Sequence, residues 1–439
     1  MKRIMIFAVI AMLLIPIAAF AGGGNQASSG SGEIHIGSVV CSEGAFAAVG
    51  VPYGNMMRAY VDYINQAPEY RALLNGRQLR LTMYDDRGDG AAGKTYIERL
   101  IHDDRVFAMV GILGTWNVEA ARNELETAGI PSVYYGTGSS AQLFEPAVGD
   151  QRYMMGVQPL YKTEGRLLYL RASTHFQNVR SIGVVYSTSD DGMSLMEGIR
   201  TQHELDTRAN KPTIVYQAIS SSDAASITSQ IAAVQNCDVI IAAGNQIYFR
   251  AVYSAAYANS IARPKPVVTS YVNAAPTNMP AEAVNPGAAE IYTSAWVVPD
   301  ELGTESAEAA RRQADYAEFV RIIDWDTRYI PASEKEAYKV NGFAMSGYIA
   351  VKTFLVGIER LNASGRPLTA QNYLEAMESA RIPIAIAGSV NYARGNRIGI
   401  DSMSFLKYEP PASGPAENGA LVTVDPVQNI DELIARLSR

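Results

Sequence analysis

A rhythm of short apolar strands alternating with amphipathic helices runs through the first third of this chain, halts near Arg152, and begins again. Ile34–Val40 reads as a strand, and Gly54–Asn65 as a helix with Met56, Met57, Tyr60, Val61 and Ile64 on one face. Further strand patterns lie at Leu79–Tyr84, Val106–Val110 and Pro131–Tyr135, separated by helical patterns through Ile97, Leu100 and Ile101 and over Val118–Ala128. After Arg152 the strands are Ser181–Tyr186, Thr213–Ile219, Val239–Ala243 and Pro266–Ser270, with helices at Met193–Leu205, Ala224–Val234 and Tyr248–Ala258 between them. Strands spaced by helices in this way form βαβ units, and such units build parallel sheets. The spacing therefore predicts an α/β chain of two doubly wound parallel-sheet lobes. Longer helical patterns follow at Ala307–Ile323 and Glu334–Leu361, then a short one at Ala370–Ser379 and a strand-like tail. Ligands of open parallel sheets sit beyond the strand C-termini, which directs attention to the loops after Val40, Val110, Tyr135, Tyr186, Ala243 and Ser270.

The N-terminus carries a different pattern. Lys2 and Arg3 precede an almost wholly apolar run from Ile4 to Phe20, which closes on Ala19-Phe20-Ala21. A charged start, an apolar stretch and a small-x-small exit make a secretory signal peptide, expected over residues 1–21. The Gly- and Ser-rich residues 22–32 read as a flexible leader. No cysteine follows the apolar run, so lipid attachment is not expected, and the protein is expected to be soluble and periplasmic or otherwise extracytoplasmic. With 439 residues, 48% of them hydrophobic, the chain has material for two or three domains and is not disordered along most of its length. A net charge of −7 with no basic stripe argues against a nucleic-acid partner.

Other chemistries find little support. Gly88-Asp89-Gly90-Ala91-Ala92-Gly93-Lys94-Thr95 fits the phosphate-loop pattern GxxxxGK[ST] in full, between an expected strand and an expected helix. Asp85, Asp86 and Asp89 place three carboxylates in or before that loop, opposing a polyphosphate, and no apolar strand ending in Asp follows to hold magnesium. The loop reads instead as a helix start, with Asp85 or Asp86 satisfying free amides. His35, His102, His175 and His203 are scattered, and neither a GxSxG nor an HExxH pattern occurs, so no catalytic group, metal or cofactor is expected. Cys41 and Cys237 read as two separate thiols, because a bond between them would tie the lobes together.

The loops at the strand ends carry a resemblance. Ile36-Gly37 with Ser42-Glu43-Gly44 and Gly50 resembles the opening strand and ligand loop of branched-chain-amino-acid and amide-type periplasmic binding proteins. Tyr84-Asp85-Asp86, Leu100-Ile101, Val106 through Gly111, Gly129-Ile130-Pro131 and Gly136-Thr137-Gly138-Ser139-Ser140 are similar to successive units of that family in order and spacing. Arg152 through Pro159 is similar to its first interlobe crossing, and Ser189-Asp190-Asp191-Gly192 to its helix-opening turn in the second lobe. The resemblance, which runs from about residue 33 to 408, implies a type I periplasmic binding protein. Its lobes would comprise 33–156 with 277–386, and 157–276 with 387–439, joined by a three-segment hinge. A solute in the cleft would close the lobes, and the closed form would dock on an ABC permease. The alternative is a ligand-sensing protein that hands its closed form to a membrane receptor.

A small zwitterion in such a cleft needs donors for its carboxylate, an acceptor for its ammonium and a wall for its side chain. The resemblance implies Thr115 and the Gly136, Thr137 and Gly138 turn as donors. Gly138 stands where the family commonly has a hydroxyl, so Thr137 or Ser139 would substitute. Trp116 and Tyr161 are candidate walls, and Ser42 and Glu43 candidate contacts in the first loop. In the second lobe Asn245, Gln246, Tyr271 and Asn273 offer only neutral groups, whereas amino-acid binders commonly place an acid in the last of these loops. The ligand is therefore either an amino acid whose ammonium reaches Glu43 or Asp191, or a neutral amide- or urea-like molecule.

Overall fold

The computed structural model describes residues 32–140, 144, 146–297 and 307–438. The expected export signal, and all but the last residue of the expected leader, lie outside the described residues. The first body contains β1 (Glu33–Val40), α1 (Ala47–Gln66), α2 (Pro68–Leu73), β2 (Gln78–Asp85), α3 (Gly90–His102) and β3 (Ala108–Leu113). It continues with α4 (Thr115–Ala120), α5 (Arg122–Thr127), β4 (Ser132–Gly136) and β5 (Met154–Met155). Its sheet is parallel throughout, in the order β2-β1-β3-β4-β5.

The second body takes α6 (Tyr161–Thr174), β6 (Ser181–Ser187), α7 (Asp190–Leu205), β7 (Thr213–Ile219), α8 (Thr228–Val234), β8 (Val239–Ala243), α9 (Gln246–Ala258), β9 (Val267–Thr269) and β10 (Ile291–Ala295). The chain then contributes α10 (Ala307–Trp325), α11 (Lys335–Lys339), α12 (Gly342–Ala363), α13 (Ala370–Glu378) and a two-stranded ribbon of β11 (Ile382–Pro383) with β12 (Ser389–Val390). It ends on β13 (Ser402–Glu409), β14 (Ala420–Asn429) and α14 (Ile430–Leu437). The second sheet runs β7-β6-β8-β9-β10 in parallel, extended by antiparallel β13 and β14. Read from β2 and from β7, the parallel strands of both sheets have the same order, second-first-third-fourth-fifth. Each sheet therefore has one point where strand order reverses, between β1 and β3 and between β6 and β8, and a crevice opens there.

Burial follows the pattern that parallel sheets require, because both faces are covered by helices. Every residue of β3 and of β8 is buried. In the first body α12 packs on α1 so closely that a Cβ on Gly347 would lie 2.3 Å from the Tyr53 carbonyl oxygen. In the second body α6 and α7 meet through Gly165 and Gly198, where a Cβ would come within 2.1 Å of the Leu195 and Lys162 carbonyl oxygens respectively.

Several expectations differ from the structure. The helix expected over 118–128 is two short helices broken at Ala121, and the third strand extends to Leu113. The long pattern from Glu334 is interrupted at Asn341, whose side chain leaves the helical path to accept the Phe343 and Ala344 amides and so cap α12. The segment from 277, expected to return to the first lobe, stays with the second: β10 pairs with β9 and β13, and Met279, Ala283 and Ile291 lie in that core. The chain re-enters the second sheet only at β13, since β12 pairs with β11. Helix α14 lies in the tail expected to be strand-like. Two of the connecting segments are bound to each other, Ile400 N–H donating to the Val157 carbonyl at 2.8 Å and Tyr392 Oη to Gly156 O at 2.8 Å. Among the described residues no helix is long and apolar enough to cross a membrane.

Candidate functional site

A cavity of about 460 Å³ lies where the two reversal points face each other. The start of α1 and of α4 line it from one side, and the starts of α7 and α9 from the other. Residues Ala295 to Val297 and the start of α12 complete the wall. Helices α1, α4, α7 and α9 each follow a strand C-terminus, so the repeated strand order places four helix N-termini around one space.

The first body's side is largely aromatic. Gly114, at φ +97°, turns the chain from β3 into α4 and leaves no room for a side chain, because a Cβ would sit 2.5 Å from the Trp116 ring. Trp116 stacks on Phe46 with ring centroids 4.7 Å apart. Its indole N–H donates to Asp86 at 2.8 Å, which fixes the ring's orientation. Asp86 is buried and also accepts from the Gly88 amide and the Asn117 side chain; burial holds its carboxyl above the ordinary range despite those donors. Thr115 Oγ1 lies 2.7 Å from Thr137 Oγ1, and the Tyr161 hydroxyl sits beside both. Burial raises that phenol to about 12. Tyr161 stacks on Tyr271, whose hydroxyl donates to the Pro159 carbonyl at 2.9 Å.

The second body's side is acidic. Asp190 and Asp191 open α7 and both line the cavity. Asp191 Oδ1 accepts from Ser189 Oγ, and Asp191 is held by the Gly192 and Asn245 amides. Its other oxygen, Oδ2, is buried with no hydrogen-bond partner, and burial raises the carboxyl's pKa. Glu119 of α4 reaches across to Asp190, and both carboxyl groups meet at Ser139. Ser139 Oγ lies 2.8 Å from Asp190 Oδ2 and 3.1 Å from Glu119 Oε1. Loss of water and the adjacent Asp190 hold Glu119 up at about 8. Against these three acids, the described residues lining the cavity include no Lys, Arg or His.

Of the residues singled out in the sequence, Thr115, Trp116, Gly136, Tyr161, Asp191, Asn245, Gln246 and Tyr271 line the cavity. Ser42, Glu43, Thr137 and Gly138 do not. Glu43 is turned outward and pairs with Arg87 at 3.2 Å, and the Ser42 amide is spent on Asp85. Thr137 lies behind Thr115 and accepts the Ser139 amide at 3.0 Å. Gly138 is a close-approach position: a Cβ there would lie 2.4 Å from the Pro159 oxygen, and its own carbonyl accepts the Tyr161 amide. The second-body amides are largely engaged within the protein. Asn245 caps α9, Gln246 Nε2 donates to the Val272 carbonyl at 2.7 Å, and Asn273 Nδ2 donates to Gly244 O and Thr269 Oγ1. Glu119 and Asp190 were not singled out. Glu119 is one helical turn beyond Thr115, on the same face, and Asp190 adjoins Asp191.

The phosphate-loop match is a helix start. Asp89, rather than Asp85 or Asp86, is the N-cap of α3 and accepts the Ala91 and Ala92 amides; Asp86 takes the Gly88 amide. Lys94 points to Glu124 at 2.8 Å. The donors a phosphate would need are thus occupied by carboxylates of the loop itself and of α5. Cys41 and Cys237 are separate buried thiols, the first raised to about 12 by burial. Among the described residues no group of three or more His, Cys, Asp or Glu could hold a metal ion.

A family model described as periplasmic binding protein matches residues 33–415. No curated protein matches the sequence. Among solved structures, a branched chain amino acid ABC transporter from Thermus thermophilus with bound valine is similar at a TM-score of 0.71 and 12% identity, over 93% of this chain and 99% of that one. A leucine binding protein, LivK, from Thermotoga maritima gives 0.67 and 15%, over 91% and 99%. A fatty acid ABC transporter substrate-binding protein from Thermomonospora curvata gives 0.67 and 16%, over 92% and 94%. Identities this low carry the fold and not the ligand.

Proposed function

We propose a function from one premise: the chain belongs to the periplasmic binding protein family, a family of extracytoplasmic solute-binding proteins rather than enzymes. On our reading it is the solute receptor of an ABC importer. It takes a small amine-bearing solute, such as an amino acid, into the cavity between its lobes and delivers it to a permease in the membrane. The lobes would close over the solute about the connecting segments, because contacts to both walls are complete only in the closed form.

The observation that carries the ligand class is Asp191 Oδ2, a buried carboxylate oxygen without a partner on a residue that lines the cavity. An unpaired buried charge is costly, and a ligand ammonium removes that cost. Thr115, Tyr161 and the Gly136 backbone would hold a carboxylate or carbonyl oxygen through neutral donors, and Trp116 with Phe46 would cover the solute's apolar part. This favours the amine over a neutral amide, since Gln246 and Asn273 already spend their amides inside the protein. Glu43, turned away to Arg87, leaves Asp191 as the ammonium partner.

A thermal-shift screen across amino acids, amines, amides, ureas and organic acids tests this, because a ligand that binds only the native state raises its melting temperature. Amino compounds should raise it, and Asp191→Asn should abolish the rise. Stabilisation by amides, ureas or fatty acids with none from amino compounds would overturn the reading.

A further inference from the structure

We propose that the seam between Glu119 of α4 and Asp190 of α7, with Ser139 between them, is a subsite for a second positive group on the ligand, so that the solute is a dibasic amino acid or a diamine. The inference rests on the reading of Asp191 as the partner of a first ammonium, and adds what the remaining acids do.

Three carboxyl groups from two bodies converge on one side of the cavity, and among the described residues no lining side chain is basic. The neighbouring charges are committed elsewhere. Behind α4, Lys94 of α3 pairs with Glu124 and Glu98, and Arg122 of α5 pairs with Glu126. From α7, only Asp190 and Asp191 face Glu119, and both repel a second negative charge. A neutral amino acid brings one ammonium, which satisfies Asp191, and a carboxylate, which restores the negative excess. A second cation in the seam would balance the Glu119–Asp190 pair. The space is sufficient, since about 460 Å³ lies within the range of sites that enclose extended ligands. Its aromatic lining, Phe46, Tyr53, Trp116 and Phe343 among others, also suits a cationic chain, because ring faces attract positive charge.

Ser139 Oγ lies within hydrogen-bond distance of both carboxyl groups, and loss of water together with the adjacent Asp190 raises the Glu119 carboxyl to about 8. When an ammonium or guanidinium enters the seam, Glu119 ionises and the proton passes to solvent. The sign follows: near pH 7, binding of a dication releases a proton, and its affinity rises as pH increases from 6 to 8.

L-Lysine, L-norleucine and 1,5-diaminopentane test this on the whole chain by calorimetry. Lysine is norleucine with an ammonium in place of one hydrogen on the terminal carbon, and the diamine carries two ammonium groups with no carboxylate. Lysine should bind at least about tenfold tighter than norleucine, the discrimination expected when one member of a close charge pair is removed. Glu119→Gln with Asp190→Asn should bring the two affinities together, and lysine binding near pH 7 should release protons in wild type but not in Glu119→Gln. Norleucine binding as tightly as lysine, or a lysine preference that survives both substitutions, would overturn the subsite. The diamine separates this failure from that of the function: the diamine binding while no amino acid does would overturn the amino-acid reading and keep the second cation site. Norleucine binding through Asp191 with no lysine preference would do the reverse.

Discussion

Replacing Asp86 by alanine should loosen the cavity wall and destabilise the first body together. Asp86 is 1% exposed and accepts three donors: the Trp116 indole N–H, the Gly88 amide, both at 2.8 Å, and the Asn117 side-chain amide. Asn117 is fully buried, so its freed N–H finds no water, and a stranded buried donor costs about 1–3 kcal/mol. Trp116 and Gly88 are partly exposed and recover some hydration, leaving losses of about 0.5–1.5 kcal/mol each. Removing a carboxylate whose burial is itself unfavourable returns part of that sum, so the net should be about 2–3 kcal/mol. The neighbouring Asp85 is the control. It accepts the Ser42 and Arg87 amides in a partly exposed loop, and Asp85→Ala should cost less than about 1 kcal/mol. Urea unfolding of both variants measures the difference through the midpoint at unchanged slope. Solute affinity of Asp86→Ala, measured where it remains folded, should also fall, since Trp116 is no longer oriented. Equal destabilisation by the two substitutions would refute the view that Asp86 is the buried anchor of the wall.

Three further outcomes follow from the geometry. Gly165→Ala and Gly198→Ala should each destabilise by about 1–3 kcal/mol in chemical denaturation, since each Cβ meets backbone, and the double variant should cost less than the sum because one separation of α6 from α7 relieves both clashes. Lys94→Ala should leave the melting temperature and solute affinity nearly unchanged, and neither form should bind ATP in equilibrium dialysis. Glu164 is fully buried, donated to by Ser270 Oγ and the Tyr271 amide, and burial raises its carboxyl to about 7. The folded state thus keeps a proton that the unfolded chain releases near pH 4, so this group's contribution is full below that pH and is lost as pH rises to about 7. Urea midpoints at pH 5 and pH 8 should therefore differ less in Glu164→Gln than in wild type.

The parallel sheets were legible because period and spacing are local properties, and β1, β6, β7 and β8 fall close to where the apolar runs lie. What escaped was set by contacts distant in sequence. One helix ends at Lys339 and Asn341 caps the next, which the apolar pattern alone cannot distinguish from continuation. Segment 277–297 joins the second sheet through pairing with β9 and β13, whose partners come from both sides of it in the chain. The phosphate-loop match shows the reverse case, a complete local motif whose function is erased by its neighbours. Glu124 takes the lysine, and Asp86 and Asp89 take the amides.

The candidate site was half legible for a related reason. The loops to inspect follow from strand order alone, and both sheets have the same order, so α4 corresponds to α9 and α1 to α7. Equivalent positions nevertheless carry opposite chemistry: Phe46 and Val49 at the start of α1, Asp190 and Asp191 at the start of α7. Acids in a helix's first turn have an ordinary explanation, since they complement the positive end of the helix dipole. That explanation accounts for Asp190 and Asp191 taken singly and for a solvated turn. It does not account for burying Asp191 with one oxygen unpartnered, nor for Glu119 arriving from the other body to form an acid pair. A dipole offers a few tenths to about 1 kcal/mol, whereas a buried polar atom left without a partner costs about 1–3 kcal/mol. A cation entering the cavity would offset that cost, so on the proposed reading the acids belong to the bound state rather than to either lobe.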